Sequence, residues 1–260
     1  MRIATYNILS GRTPGDDQVH LDRFASAVAT LDADLLGLQE VDRNQGRSQH
    51  ADLTATAAEA MGATEHRFVA ALSGTPGATW AAATGEEQPD AAAYGVAFLS
   101  RYPVVGWQVV RLPPVPVPAP LRPHGKLRLA WVRDEPRVAV VAEVEAPTGR
   151  LTVVTTHLSF LSWWNPRQLR LLLRSVRGAG AHSGGPLVLM GDLNMGPARA
   201  AKITGLRPLA TGATFPLKAP RVQIDHILSD DPALRTVDEQ VVRLPVSDHR
   251  ALVADVELGR

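Results

Sequence analysis

The sequence predicts a layered α/β sandwich, with β-sheets inside and helices outside. Strand-like segments outnumber helix-like ones, and helices separate several of the strands. The 260 residues are 45% hydrophobic and 20% charged, which suits a soluble chain with a sizeable core and a single domain spanning residues 1–260.

RIATYNIL (2–9) is strand-like, and HLDRFASAVATL (20–31) places Leu21, Phe24, Val28 and Leu31 at helical spacing. ADLLGLQEV (33–41) is a buried strand, DLTATAAEAMG (52–62) a helix closed by Gly62, and HRFVAAL (66–72) a strand. Residues 73–93 are rich in Ala, Gly and Thr and read as a surface loop before the strand YGVAFLS (94–100). PPVPVPAPLRP (113–123) lacks the N–H groups of a regular ladder and reads as an extended, polyproline-like rim loop. RVAVVAEVEA and RLTVVTTHLSF are two strands around a Thr148–Gly149 turn. In NPRQLRLLLRSVR (165–177), Pro166 stands near the helix start and Leu169, Leu172, Leu173 and Val176 share the apolar face. Arg167, Arg170, Arg174 and Arg177 lie on the opposite, solvated face. PLVLMGDLN, RVQIDHILS and HRALVADVEL complete the strands, and no internal repeat or linker interrupts them.

Composition excludes several functions. The chain has no cysteine, so disulfides, thiolate catalysis and Cys-based zinc sites are out. No stretch approaches the ~20 apolar residues of a membrane span, and Arg2 leads directly into a strand rather than a signal peptide, so the expected location is cytoplasmic. Lys+Arg number 27 against 26 Asp+Glu, with lysine only at 126, 202 and 218, so no net charge announces nucleic acid as a partner.

The informative residues are polar groups at the ends of apolar strands. Asn7, Glu40, His157, Asp192 with Asn194, Asp225, and Asp248 with His249 all stand at such places. Each has a structural reading: Asn7 bonding the backbone, Glu40 pairing Arg43, His157 as a satisfied core histidine, Asp248 capping a turn. Buried carboxylates without partners cost several kcal/mol, however. Together these residues suggest mutual satisfaction around a divalent cation and a phosphate. Magnesium, with manganese as the alternative, takes oxygen ligands and one or two carboxylates. Glu40 and Asp248, with Asn7 nearby, fit that role. Asp192 can orient or deprotonate water, Asn194 can donate to a phosphoryl oxygen, and His157 and His249 can donate to phosphate or shuttle protons. Asp225 can set the tautomer and basicity of a histidine.

TYNIL, LLGLQEVD, YGVAFLSRYPV, VVTTHLS, GDLNMGP, QIDHILS and SDHRALVADV occur in one order along the chain. From Ile3 to Val256, this ordered set resembles the endonuclease/exonuclease/phosphatase superfamily, the DNase I-like fold. The resemblance implies a four-layered α/β sandwich, two mixed and mainly antiparallel sheets face to face, with a metal site at one edge. It implies Asn7 and Glu40 at the magnesium site, His157 on phosphate or as acid, and Asp192 and Asn194 near the attacking water and phosphate. It further implies Asp225 paired with His249, and Asp248 completing the metal and water cluster. Arg137, in EPRVA, resembles a family arginine that stands before the THL strand.

The expected activity is metal-dependent hydrolysis of a phosphate ester, phosphodiesterase or phosphatase. Val41–Asp42, Met195–Gly196–Pro197 and Leu9 depart from the apurinic-site endonuclease pattern, and a duplex binder should show a basic stripe. These points favour a small or lipid-like substrate over a DNA or RNA nuclease. A non-catalytic binding module predicts a lost site residue, and none is lost. Trp163 and Trp164, soon after His157, are expected at the mouth of the site, as cover for the next helix or against a lipid or a base.

Overall fold

Apolar strands buried on both faces build most of the protein. The computed structural model describes residues 1–121, 130–147, 149–178 and 185–258. β1 (Arg2–Asn7) turns Ile3 to one side and Ala4 and Tyr6 to the other. α1 (Leu21–Leu31) buries Phe24, Ala27, Val28 and Leu31, and β2 (Leu35–Arg43) follows. α2 (Leu53–Met61) is capped by Asp52, whose carboxylate accepts from Thr54 N and Ala55 N, and ends at Gly62 with φ 68°. Next come β3 (Glu65–Gly74), β4 (Trp80–Ala82), β5 (Ala93–Ser100) and β6 (Val104–Leu112). β7 (Ala119–Leu121) and β8 (Ala130–Val132) form a ribbon outside the main sheets. β9 (Arg137–Ala146) and β10 (Gly149–His157) lead to α3 (Asn165–Gly178) and β11 (Leu187–Asp192). α4 (Pro197–Thr204), β12 (Arg207–Pro208), β13 (Asp225–Ser229), β14 (Leu234–Val242) and β15 (Ala251–Leu258) complete the order.

A seven-stranded sheet runs β14-β15-β1-β2-β5-β3-β4, and a six-stranded sheet runs β12-β13-β11-β10-β9-β6. They pack face to face over a core that includes Ile3, Leu35, Phe98, Val140, Val153, Met190 and Leu252. α1 and α2 cover the outer face of the first sheet, and α3 and α4 that of the second. This is the expected four-layered sandwich, with mixed sheets. Each sheet has one parallel pair, β1/β2 and β10/β11, and each pair is joined through a helix, α1 or α3. The carboxyl ends of those strands lie at one edge, the usual place for a ligand site in sheets with parallel strands.

The sheets approach closely at Gly37 on β2. A Cβ there would lie 2.5 Å from Thr155 Oγ1 and 3.1 Å from Met190 Sδ. Gly37→Ala is therefore expected to cost about 1–3 kcal/mol through overpacking, measured as a lower denaturant midpoint. An unchanged midpoint would mean that the sheets part freely at this point.

Several expectations are corrected. The stretch 73–93 is not all loop: β3 runs on to Gly74, and Trp80–Ala82 pairs back onto it. The proline-rich stretch 113–123 contains β7, with Pro120 opposite Trp131 in a two-stranded ribbon where every strand is an edge and proline is tolerated. Residues 122–123 of that stretch, and Thr148 of the expected turn, lie outside the described residues. The sequence patterning missed β6 and β14, edge strands with part of their length exposed, and β14 carries a register shift at Thr236/Asp238. It also missed α4, whose eight residues are too few to establish a helical period. Among the described residues, no helix is long and apolar enough to cross a membrane.

Candidate active site

Irregular backbone at the sheet edge aims the site residues. On β2 the register against β5 shifts between Gln39 and Val41, leaving Glu40 as the bulged residue at φ 57°. Without the bulge, alternation would turn Glu40 onto the helix-covered face. With it, Val41 keeps that place and Glu40 reaches the edge. Asn194 (φ 50°) and Ser247 (φ 71°) are also left-handed. Such backbone costs a non-glycine residue about 1 kcal/mol or more, and clusters at functional sites. Gly191 (φ 136°) permits the close approach of β10: a Cβ there would stand 1.9 Å from Thr156 O. Asp192 follows, paired with His157 on one side and Asp225 on the other.

All eight predicted residues stand at this edge. Asn7 Nδ2 donates to Glu40 Oε1 (3.0 Å) and to Asp192 Oδ2 (3.2 Å), while its Oδ1 accepts from Leu9 N. Glu40 does not pair with Arg43, which instead donates to Ala91 O and covers the Phe68 ring. Asp192 Oδ1 accepts from Asn194 N (2.8 Å), and Asn194 Nδ2 donates to Leu158 O (2.9 Å). Asp225 is fully buried, with Oδ2 2.9 Å from His249 Nδ1. His226, the next residue on β13, points the other way and bonds Met195 O. Asp248 is half-buried, and its charge is felt by Glu40 and His249.

The pKa values of the two histidines are pushed in opposite directions. Burial lowers the His157 pKa well below its ordinary value, helped by the positive charges of Arg137 and His249. Both its ring nitrogens face donors, Arg137 Nη1 on Nδ1 (3.2 Å) and Asn194 Nδ2 on Nε2 (3.2 Å). A neutral ring accepts through one nitrogen only. Arg137 and Asn194 therefore compete for one acceptor, and Nε2 also lies 3.6 Å from Asp192 Oδ2. For His249, burial opposes the charged ring, but the charge and hydrogen bond of Asp225, with Asp192 and Asp248, push its pKa up to about 10. Its Nε2 lies 3.9 Å from Asp192 Oδ2. Asp192 itself is pushed up to about 7, chiefly by burial and then by the charge of Asp225, against His249, Asn194 and Asn7. Burial likewise raises Glu40.

Three supporting residues escaped the sequence reading. Ser247 Oγ donates to Asn7 O (2.6 Å) and accepts from His249 N (3.1 Å), tying the approach to β15 to the end of β1. The Phe215 ring packs 4.9 Å from the His249 ring. Tyr94 is buried within the field of Glu40, its pKa raised well above the ordinary value by burial and then by that charge. Ser247 adjoins Asp248 in the SDH motif, which was the available signal. Tyr94 opens the YGVAFLSRYPV motif, and Phe215 carried no signal, because it meets the site across the fold.

Two features fit a bound cation. The half-buried Glu40 carboxylate has the neutral Asn7 amide as its donor, and the buried Asp225 Oδ1 has no hydrogen-bond partner. One ligand-capable atom from each of Asp192, Asp225 and His249 lies within 4.8 Å of the others. Two of these three already satisfy each other.

The chain belongs to the endonuclease/exonuclease/phosphatase family, whose model matches residues 4–249. Members of this family are in general phosphoester hydrolases. Solved structures agree in fold. An endonuclease/exonuclease/phosphatase from Beutenbergia cavernae is 25% identical, with a TM-score of 0.69 over 100% of this chain and 72% of its own. The mannosyl-6-phosphatase of Bacteroides thetaiotaomicron is 15% identical, with a TM-score of 0.68 over 99% of this chain and 100% of its own. The human nocturnin catalytic domain, solved with a bound sulfate anion, is 18% identical, with a TM-score of 0.67 over 99% and 93%. No curated protein matches the chain in sequence.

Proposed function

We propose that the protein is a divalent-metal-dependent phosphoesterase that hydrolyses small or lipid-like phosphate esters by attack of water. The observation that carries this reading is Asp192 set between two histidines, with Oδ2 3.6 Å from His157 Nε2 and 3.9 Å from His249 Nε2, whose pKa values their surroundings push in opposite directions. Pairs of titratable groups pushed apart in this way divide acid and base work.

Glu40, Asn7 and Asp248 would hold the cation, magnesium or manganese. When bound, it supplies charge neutralisation on the phosphoryl oxygens and on the attacking or leaving oxygen. Asp192, with a pKa near neutrality, orients the water and takes its proton. Asn194 Nδ2 and His157 donate to phosphoryl oxygens, and the His249 imidazolium neutralises the charge that builds there. Asp225 holds that ring charged and oriented. Arg137 is 5% exposed, and its Nε is buried without a partner. Its nearest carboxylate is Glu135, at 3.6 Å. It orients His157 and offers its remaining donors to the substrate anion.

The near-balance of charge, the departures from the repair-endonuclease pattern and the tryptophans beyond His157 support a small or lipid-like ester over duplex DNA. In a phosphoesterase panel with magnesium or manganese, set beside nicking of plasmid and abasic DNA, small and lipid-like phosphodiesters should turn over faster. Efficient nicking at physiological salt without turnover of the small esters would reverse the substrate reading.

A further inference from the structure

Beside the sheet edge lies a cleft that the proposed chemistry does not use. It holds about 640 Å³, within the range of small-molecule sites. Asn194, Met195 and Arg199 line it from the stretch that leads into α4, and Arg221, Val222 and Ile224 from the approach to β13. Asn194 belongs to the cleft and to the edge at once, since its Nδ2 lies 3.2 Å from His157 Nε2.

Both stretches are held in place. Leu193 N donates to Ile224 O (2.9 Å), joining one to the other, and Asn165 Nδ2 donates to Asn194 O (2.8 Å). Gly196 O accepts from Arg199 N and Ala200 N, each at 3.1 Å, and Pro197 opens the helix. Val222 pairs with Phe215, and Arg221 N donates to Phe215 O (2.8 Å). The Phe215 ring in turn packs on His249. The cleft is therefore preformed, which lowers the ordering cost of filling it.

Charge and polarity select the occupant. Arg199 and Arg221 are both exposed. Unlike Arg12, Arg47, Arg101 and Arg150, which pair with carboxylates, neither side chain has an acidic or hydrogen-bonded partner among the described residues. Among those residues no Asp or Glu lines the cleft. Two free guanidinium groups without a competing acid suit a phosphate or a carboxylate. Met195, Val222 and Ile224 offer them an apolar setting, and Val222 is left 47% exposed.

We infer that this cleft holds the part of the substrate beyond the scissile phosphate, and that Arg199 and Arg221 bind a second anionic group there. The substrate class is then a small ester with two anionic ends, phosphate and phosphate or phosphate and carboxylate, joined by a short and largely apolar stretch. The inference rests on the phosphoesterase reading and deepens it. Its test reads binding rather than hydrolysis, so the two can fail separately.

Calorimetry follows alkylphosphonates of graded chain length, each ending in a methyl group, a carboxylate or a second phosphonate, at one magnesium concentration. Their C–P bond is not a hydrolysable ester. The wild type should bind an anion-ended ligand about tenfold more tightly than its methyl-ended match, and salt should shrink the difference. Whichever anionic end binds better names the second group. Arg199→Gln with Arg221→Gln should erase the preference with an unchanged melting temperature, because both side chains are exposed. Equal wild-type affinity for methyl and anionic ends at every length overturns the inference. So does a double variant that keeps the preference, or one that loses affinity for all three ends alike. Arginine-dependent capture of a single-stranded oligonucleotide in place of these ligands also overturns it. If the preference depends on the arginines but no ester is hydrolysed, the phosphoesterase reading fails and the anion site stands. Hydrolysis without the preference leaves that reading and removes the anion site.

Discussion

Asp225→Asn is expected to leave the fold intact and lower turnover by about a thousandfold or more, as much as His249→Ala, because a carboxylate that holds a catalytic histidine charged and oriented acts as one unit with it. Asparagine can still accept from Nδ1, but it removes the charge that overcomes the burial of the ring. The double variant should be little worse than either single one, and losses that multiply would show two independent roles. Imidazole NMR gives a readout that a packing role would not move. The His249 ring should stay protonated well above pH 8 in the wild type and lose its proton at lower pH in Asp225→Asn. The same shift links to stability. A folded-state pKa raised from 6.5 to about 10 contributes stability that is fully present below pH 6.5 and lost as pH rises through about 10. The unfolding free energy of the metal-free wild type should therefore fall across that window relative to His249→Ala. A difference that stays flat would contradict the charged pair.

Glu40→Gln should abolish nearly all metal-stimulated turnover, a loss of several orders of magnitude if this carboxylate holds the cation, while the protein remains folded. Without metal the variant should be at least as stable as the wild type. Burial raises the Glu40 pKa, so its ionised form destabilises the fold above that pKa. A glutamine oxygen can still accept from Asn7 Nδ2. Calorimetry separates the possibilities: lost cation binding with an undiminished melting temperature assigns Glu40 to the metal. Unchanged binding removes it, and a fall in melting temperature makes it a structural partner of Asn7.

The apolar strands, the helices with one apolar stripe and the ordered motifs were legible from sequence because each is local or reads in chain order. The apolar runs of β1, β2, β10 and β11, buried on both faces, need no knowledge of neighbours, and neither does the Gly62 stop. Edge strands were not legible. β14 has a strand neighbour on one side only, and solvent accepts polar residues over much of its length, so its pattern resembles a loop. β7 holds a proline that a central strand would reject and an isolated ribbon accepts.

The sequence by itself determined which residue types stand at the strand ends, from Asn7 to His249, and the family that carries them in that order. Tertiary structure alone decided how they meet. The bulge on β2 sets where Glu40 points, because one unpaired residue reverses the alternation. Pairing of β11 between β10 and β13 puts Asp192 between His157 and Asp225. The charge states of the two histidines follow from burial and neighbours: Arg137 faces one ring and Asp225 the other, and both partners come from distant parts of the chain. Electrostatic and packing energies depend on distances in space, which chain order does not contain.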